Sequence, residues 1–153
     1  MFNLYDVKDS MEDLDEIMDL IYAEWGNSFS SSKESKLNKI KEAISNNVYL
    51  PKIYALKKDN VLIGTFTIKD KDLDNCDLSP WIACVVVKKE YRGKGYANAL
   101  LKYIKEIIDN NYKEMYLVTD LNNFYEKIGF EFIKLVDHNN KKERLYKYNG
   151  WNF

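Results

Sequence analysis

The chain has 153 residues, of which 46% are hydrophobic and 31% charged, and a formal net charge of −1. That length suits one domain, residues 1–153, with room for a real core. The charge balance offers no overall attraction for nucleic acid or an anionic membrane, and no apolar run approaches the roughly 20 residues of a membrane span. Met1-Phe2-Asn3-Leu4-Tyr5-Asp6 lacks the basic and apolar regions of a secretory leader. Cys76 and Cys84 are too few for a disulfide framework, so a cytoplasmic protein with free thiols is expected. One histidine and no Cys-x-x-Cys pair argue against a zinc site, and no metal is expected.

Phe2 to Val7 alternates as a first strand. Ser10 with Asp13 reads as a capping box, followed by Met11, Leu14, Ile17, Met18, Ile21, Tyr22 and Trp25 at helical spacing. The serine-rich stretch from Asn27 to Ser35 reads as a loop, and Leu37, Ile40 and Ile44 mark a weaker second helix ending near Asn46-Asn47. Ile53 to Lys57 and Val61 to Ile68 are strands joined by an Asp59-Asn60 turn. A polar, acidic stretch, Lys69 to Asp77, precedes Pro80. Trp81 to Val87 is nearly all apolar, as a strand buried on both faces is. From Gly95, a helix carries Ala97, Leu100, Leu101, Ile104, Ile107 and Ile108 on one stripe and ends at Asn110-Asn111. Met115 to Thr119 reads as a strand parallel to Trp81–Val87 through that crossover helix. Asn122 to Ile128 reads as a short helix stopped by Gly129, and Phe130–Val136 with Arg144–Tyr148 as a closing hairpin around Asn139-Asn140.

The chemistry concentrates where the Val85-Val86-Val87 strand end meets Arg92-Gly93-Lys94-Gly95-Tyr96-Ala97. A helix start leaves backbone N–H groups without partners and adds a partial positive charge, so this turn suits a phosphate. The spacing lacks the Gly-Lys-Ser/Thr of a P-loop, and Asn98 stands where a dinucleotide fingerprint needs glycine. Arg92, Gly95 and Ala97 instead give Arg-x-x-Gly-x-Gly/Ala, which resembles the pyrophosphate loop of the GNAT superfamily of acetyl-CoA-dependent N-acetyltransferases. Asn123-Phe124-Tyr125-Glu126-Lys127-Ile128-Gly129-Phe130 is similar to a second signature of that family at the expected separation. The resemblance is strongest from Pro80 to Phe132.

The resemblance implies an α/β (α+β) fold: a mixed, mostly antiparallel twisted sheet with a central parallel strand pair, flanked by helices. It implies acetyl-CoA as co-substrate, its pantetheine arm lying between the two parallel strands and bonded by the backbone of Val85 and Val87, with Val86 between them. Gly93 to Asn98 would take the pyrophosphate, with charge from Arg92 and Lys94 where these are not simply solvated turn residues. Tyr125 would act as general acid toward the departing thiolate, against the plainer reading that it packs beside Phe124. Many relatives carry an asparagine about seven residues before this tyrosine; Val118 stands there, and no asparagine contact is assigned.

No general base is readable. His138 sits in a late polar turn and reads as a surface residue; Asp120 and the carboxylates of Asp70, Asp72, Asp74 and Asp77 are candidates. Cys84, inside a core-like strand, reads as inert. Asp72, Asp74 and Asp77 suggest a cationic acceptor, although Lys69 and Lys71 dilute the signal toward a solvated turn. The expected activity is acetyl transfer to a primary amine, small molecule or peptide, by direct attack. Two rivals stay open: a non-catalytic acyl-CoA-binding or regulatory module, and a protein acetyltransferase acting on an N-terminus or lysine. Trp151 and Phe153 would pack on the sheet or cover a partner chain, leaving a homodimer possible.

Overall fold

A computed structural model describes residues 1–150; Trp151, Asn152 and Phe153 lie outside the described residues. Seven strands form one sheet: β1 (Phe2–Asp6), β2 (Lys52–Lys58), β3 (Val61–Lys69), β4 (Trp81–Val87), β5 (Tyr116–Thr119), β6 (Phe130–His138) and β7 (Lys141–Tyr148). Their spatial order is β1-β2-β3-β4-β5-β7-β6, antiparallel throughout except for the parallel neighbours β4 and β5. Helices α1 (Leu14–Trp25) and α2 (Lys33–Ser45) precede β2, and α3 (Tyr96–Asn111) makes the crossover between β4 and β5.

Alternating strands give the sheet two apolar faces, and each is covered. Leu100, Leu101, Ile104 and Ile108 of α3 bury against Leu56, Phe66, Ile82 and Leu117. On the opposite face Leu14, Ile17, Met18 and Ile21 of α1 pack on Ile53, Ala55 and Leu62. Farther along the sheet, Leu73, Cys76 and Leu78 of the β3–β4 connection cover Trp81, Tyr116 and Leu145. The hairpin turns are as the asparagines require. Asp59 and Asn60 have φ of 52° and 66°, and Asn139 and Asn140 have 53° and 65°, the left-handed pair of a two-residue turn.

Four local expectations are corrected. Ser10 does not cap α1: its Oγ donates to Asp13 Oδ2 at 2.8 Å, while the Asp13 carboxylate is drawn to Lys57 Nζ at 3.1 Å. The 27–35 stretch is not all loop, because Ser32 Oγ accepts from the Ser35 amide and starts α2 at Lys33. Before Tyr125 the chain turns at Asn123 with φ of 61°, so the expected helix shrinks to a 3₁₀ turn, Tyr125–Ile128. Strand β4 is buried at both ends but only half-buried from Ala83 to Val85. There the register against β3 slips between Thr65 and Thr67, and Cys84 takes a φ of 55°. One extra residue is accommodated as a bulge, which re-aims the side chains around it.

Candidate active site

The bulge controls the site. Strands β4 and β5 share a single register pair, Trp81 with Tyr116, and beyond it they part. Lys88 N donates to Ile63 O at 2.9 Å, so by strand alternation Val86 faces β3 and the Val87 amide faces the gap, while Val85 sits in the bulge beside it. The Val87 N–H on that side is a strand-edge donor for an extended partner, its own carbonyl being held by Arg92 Nε at 2.8 Å. A cleft of about 1580 Å³ opens there; Val85, Val86, Val87, Leu117, Val118 and Tyr125 form part of its wall.

At one end of the cleft lies the glycine turn. Gly93 and Gly95 have φ of 76° and 81°, and a Cβ at either would meet nothing within 4 Å. Glycine is there for the left-handed backbone, and the turn is open on its outer side. Gly95 caps α3 with no side-chain hydrogen bond, so the first amides of a 16-residue helix are free to receive an anion. Ala97 reaches the cleft; Gly93, Lys94 and Asn98 are exposed beside it. The Tyr96 ring packs edge-on against Phe2 at 5.3 Å and its hydroxyl accepts from Lys58 Nζ. Arg92 is engaged within the fold: its Nε donates to Val87 O at 2.8 Å and its guanidinium pairs with Glu24 at 2.5 Å. It braces the end of β4 against α1 rather than reaching toward the turn.

Tyr125 is 6% exposed, edge-on to Phe124 at 4.9 Å and to Phe130 at 6.0 Å, and its hydroxyl makes no hydrogen bond among the described residues. Burial, helped by the Asp120 charge, pushes the phenol well above its usual range, so it stays protonated. The ring packs beside Phe124 in the core, and the residue also lines the cleft.

The far wall is charged. Asp72 and Asp74 line it, but Asp77 does not. Asp72 is paired with Lys69 at 3.4 Å, and burial, opposed by that lysine, raises its carboxyl above the usual range. Asp120 pairs with Lys141 at 3.1 Å at the rim. His138 is not a surface turn residue. It ends β6 on the cleft wall with its side chain 19% exposed, and Nδ1 lies 2.6 Å from Oε1 of Glu143, itself buried. The signal was present in the Asn139-Asn140 turn. That turn pairs His138 with Lys141 and makes Glu143 its diagonal neighbour on the same face. Burial pushes the Cys84 thiol up, which keeps it a poor nucleophile. No group of three or more His, Cys, Asp or Glu side chains among the described residues is arranged to hold a metal.

Residues 51–132, just over half of the chain, match the family described as the acetyltransferase (GNAT) domain. The chain belongs to the GNAT acetyltransferase family. No curated protein sequence matches it. Among solved structures the GNAT chain is similar to the loading GNATL domain of CurA from Lyngbya majuscula, with 14% identity, all of both chains covered and a TM-score of 0.72. It is also similar to a chimera of the spermidine N-acetyltransferase SpeG from Vibrio cholerae and hSSAT, with 16% identity, 96% and 94% coverage and a TM-score of 0.70. A third is an aminoglycoside 6'-acetyltransferase type Ii, with 17% identity, 96% and 95% coverage and a TM-score of 0.66. At these identities the likeness is one of fold. No helix among the described residues is long and apolar enough to cross a membrane.

Proposed function

We propose that this GNAT protein is a cytoplasmic N-acetyltransferase that moves acetyl from acetyl-CoA to a primary amine, a small cationic amine being favoured, by direct attack. The observation that carries the reading is the parted β4–β5 pair, with the uncapped start of α3 at one end and Tyr125 in its wall. Acetyl-CoA would supply the activated acyl group as a thioester. Those residues fit it: the Val87 amide at the gap, with Val85 beside it, suits a strand-like arm, and the Gly93–Asn98 turn offers free amides to a pyrophosphate. An amide of the β4 edge would donate to the thioester oxygen as negative charge grows there.

Tyr125 would keep its proton until the thiolate departs. A free thiol has a pKa of roughly 8.5 against about 10 for a phenol, and the burial that raises Tyr125 raises a neighbouring thiol too, which preserves the match. For the amine to attack, its ammonium must lose a proton. With Glu143 as a carboxylate accepting from Nδ1–H, a neutral His138 would present Nε2 as the proton acceptor. The acids lining the cleft, Glu24, Asp72, Asp74, Asp120, Asp137 and Glu143, outnumber Lys36, Lys69, Arg92 and Lys141, which favours a cation. The test is kcat/KM against pH for wild type, His138→Gln and Glu143→Gln. A large fall in kcat/KM in His138→Gln and a smaller one in Glu143→Gln, with acetyl-CoA affinity retained, supports the assignment; an unchanged kcat/KM in His138→Gln refutes it.

A further inference from the structure

Beneath α2 lies a second, smaller cavity of about 220 Å³, walled by Met18 and Ile21 of α1, Ile40 of α2, and Leu50, Pro51 and Ile53. It is partly open to solvent and mostly apolar, with Lys36, Thr67, Lys69, Asp70 and Lys71 as the polar part of its wall. Of the half-buried apolar stripe of α2, Leu37, Ile40 and Ile44, it is Ile40 that reaches the cavity. An apolar cavity of roughly 150 Å³ takes benzene, so 220 Å³ has room for a ring and a short linker.

The cavity opens toward the reaction site. Lys36, Lys69 and Cys84 line both it and the large cleft, and Cys84 is the residue that the β4 bulge turns out of the strand, one position before Val85. Resting on the N-acetyltransferase reading above, we propose that this cavity is the specificity pocket for the acceptor, and that the acceptor is a primary amine with an apolar arm of about phenyl or branched-alkyl size. With the arm under α2, the amine emerges past Cys84 into the charged cleft. Lys36, held over the Phe29 ring at 4.0 Å, together with Lys69 and Lys71 outnumbers Asp70 in the wall, which disfavours a second cationic group inside the pocket. A polyamine would put such a group there; an aryl or alkyl arm does not.

Two measurements test this. Acetylation of 2-phenylethylamine is compared with that of ethylamine, and the expected kcat/KM ratio is at least about thirtyfold, since each buried methylene is worth roughly fourfold. Ile40→Trp, which fills the cavity from α2, brings the ratio toward one. In parallel, ¹³C-methyl NMR of isoleucines follows 2-phenylethylamine binding. Ile21, Ile40 and Ile53 shift, while Ile104 and Ile108 in the α3 core do not. Equal rates for both amines with unmoved Ile21, Ile40 and Ile53 methyls overturn the pocket while leaving acetyl transfer standing. Shifts without acetylation of any amine keep the pocket and remove the enzyme. Shifts of those methyls on adding hexanoyl-CoA but not the amine overturn the assignment, by showing that the pocket takes the acyl chain.

Discussion

Tyr125→Phe removes one oxygen and nothing else. The ring stays between Phe124 and Phe130, and the lost hydroxyl has no hydrogen-bond partner among the described residues, so stability changes by no more than about 0.5 kcal/mol. The catalytic cost is of a different size. General acid catalysis contributes about 10²–10⁴-fold, and a thiolate is a good leaving group, so the lower end applies: kcat falls roughly 10²-fold, about 2.7 kcal/mol. Single-turnover thiol release isolates the chemical step, with calorimetry giving the acetyl-CoA Kd and a melt giving Tm. The expected result is slow release with Kd and Tm unchanged. Because burial raises this phenol above the ordinary value of about 10, wild-type activity should show no loss through Tyr125 ionisation up to that pH. An unaltered single-turnover rate in a normally folded variant refutes the acid role.

Other expectations follow from the same geometry. Gly95→Val forces a β-branched residue into φ of 81°, a strain of roughly 1–2 kcal/mol that the turn relieves by moving its amides, so acetyl-CoA binding measured by calorimetry weakens about tenfold while the fold persists. Asp13→Ala strips Lys57, only 12% exposed, of its carboxylate and Ser10 of its acceptor; denaturant titration should show a loss of about 3 kcal/mol, partly restored by adding Lys57→Met. Burial raises the phenols of Tyr54, to about 12, and of Tyr125, Tyr146 and Tyr148. A raised folded pKa means stability is intact below the unfolded value of about 10 and is lost as pH rises beyond it. Melts should therefore be flat with respect to these groups up to pH 10, and then fall together with the appearance of tyrosinate absorbance.

Most of the scaffold was legible because its signals are local. The α1 and α3 stripes, the two left-handed hairpin turns and the Gly93/Gly95 turn each depend on residues within a few positions of one another, and each is where periodicity and turn chemistry put it. What escaped depends on partners distant in sequence. Ser10 reads as a cap because Lys57, which takes the Asp13 carboxylate, lies 44 residues beyond Asp13. The motif leaves Arg92 as either a phosphate-side charge or a solvated turn residue, because Glu24, on a helix 68 positions away, is invisible from it. The β4 bulge has no sequence mark in an all-apolar run: it arises from pairing with β3, and it alone decides that Ala83–Val85 face a cleft rather than core. His138 was the reverse case. Its register with Glu143 followed from a turn already identified, but burial of the pair depends on how the hairpin packs over the cleft.

The central claim is amine acetylation in the β4–β5 cleft. It is tested most directly by following CoA thiol release from acetyl-CoA with and without a panel of primary amines, the N-acetyl product being weighed by mass spectrometry. The account predicts amine-dependent release, matched mole for mole by N-acetylated amine. Acetyl-CoA that binds but is released by no amine, small or peptide, would contradict it and leave a binding module in the same fold.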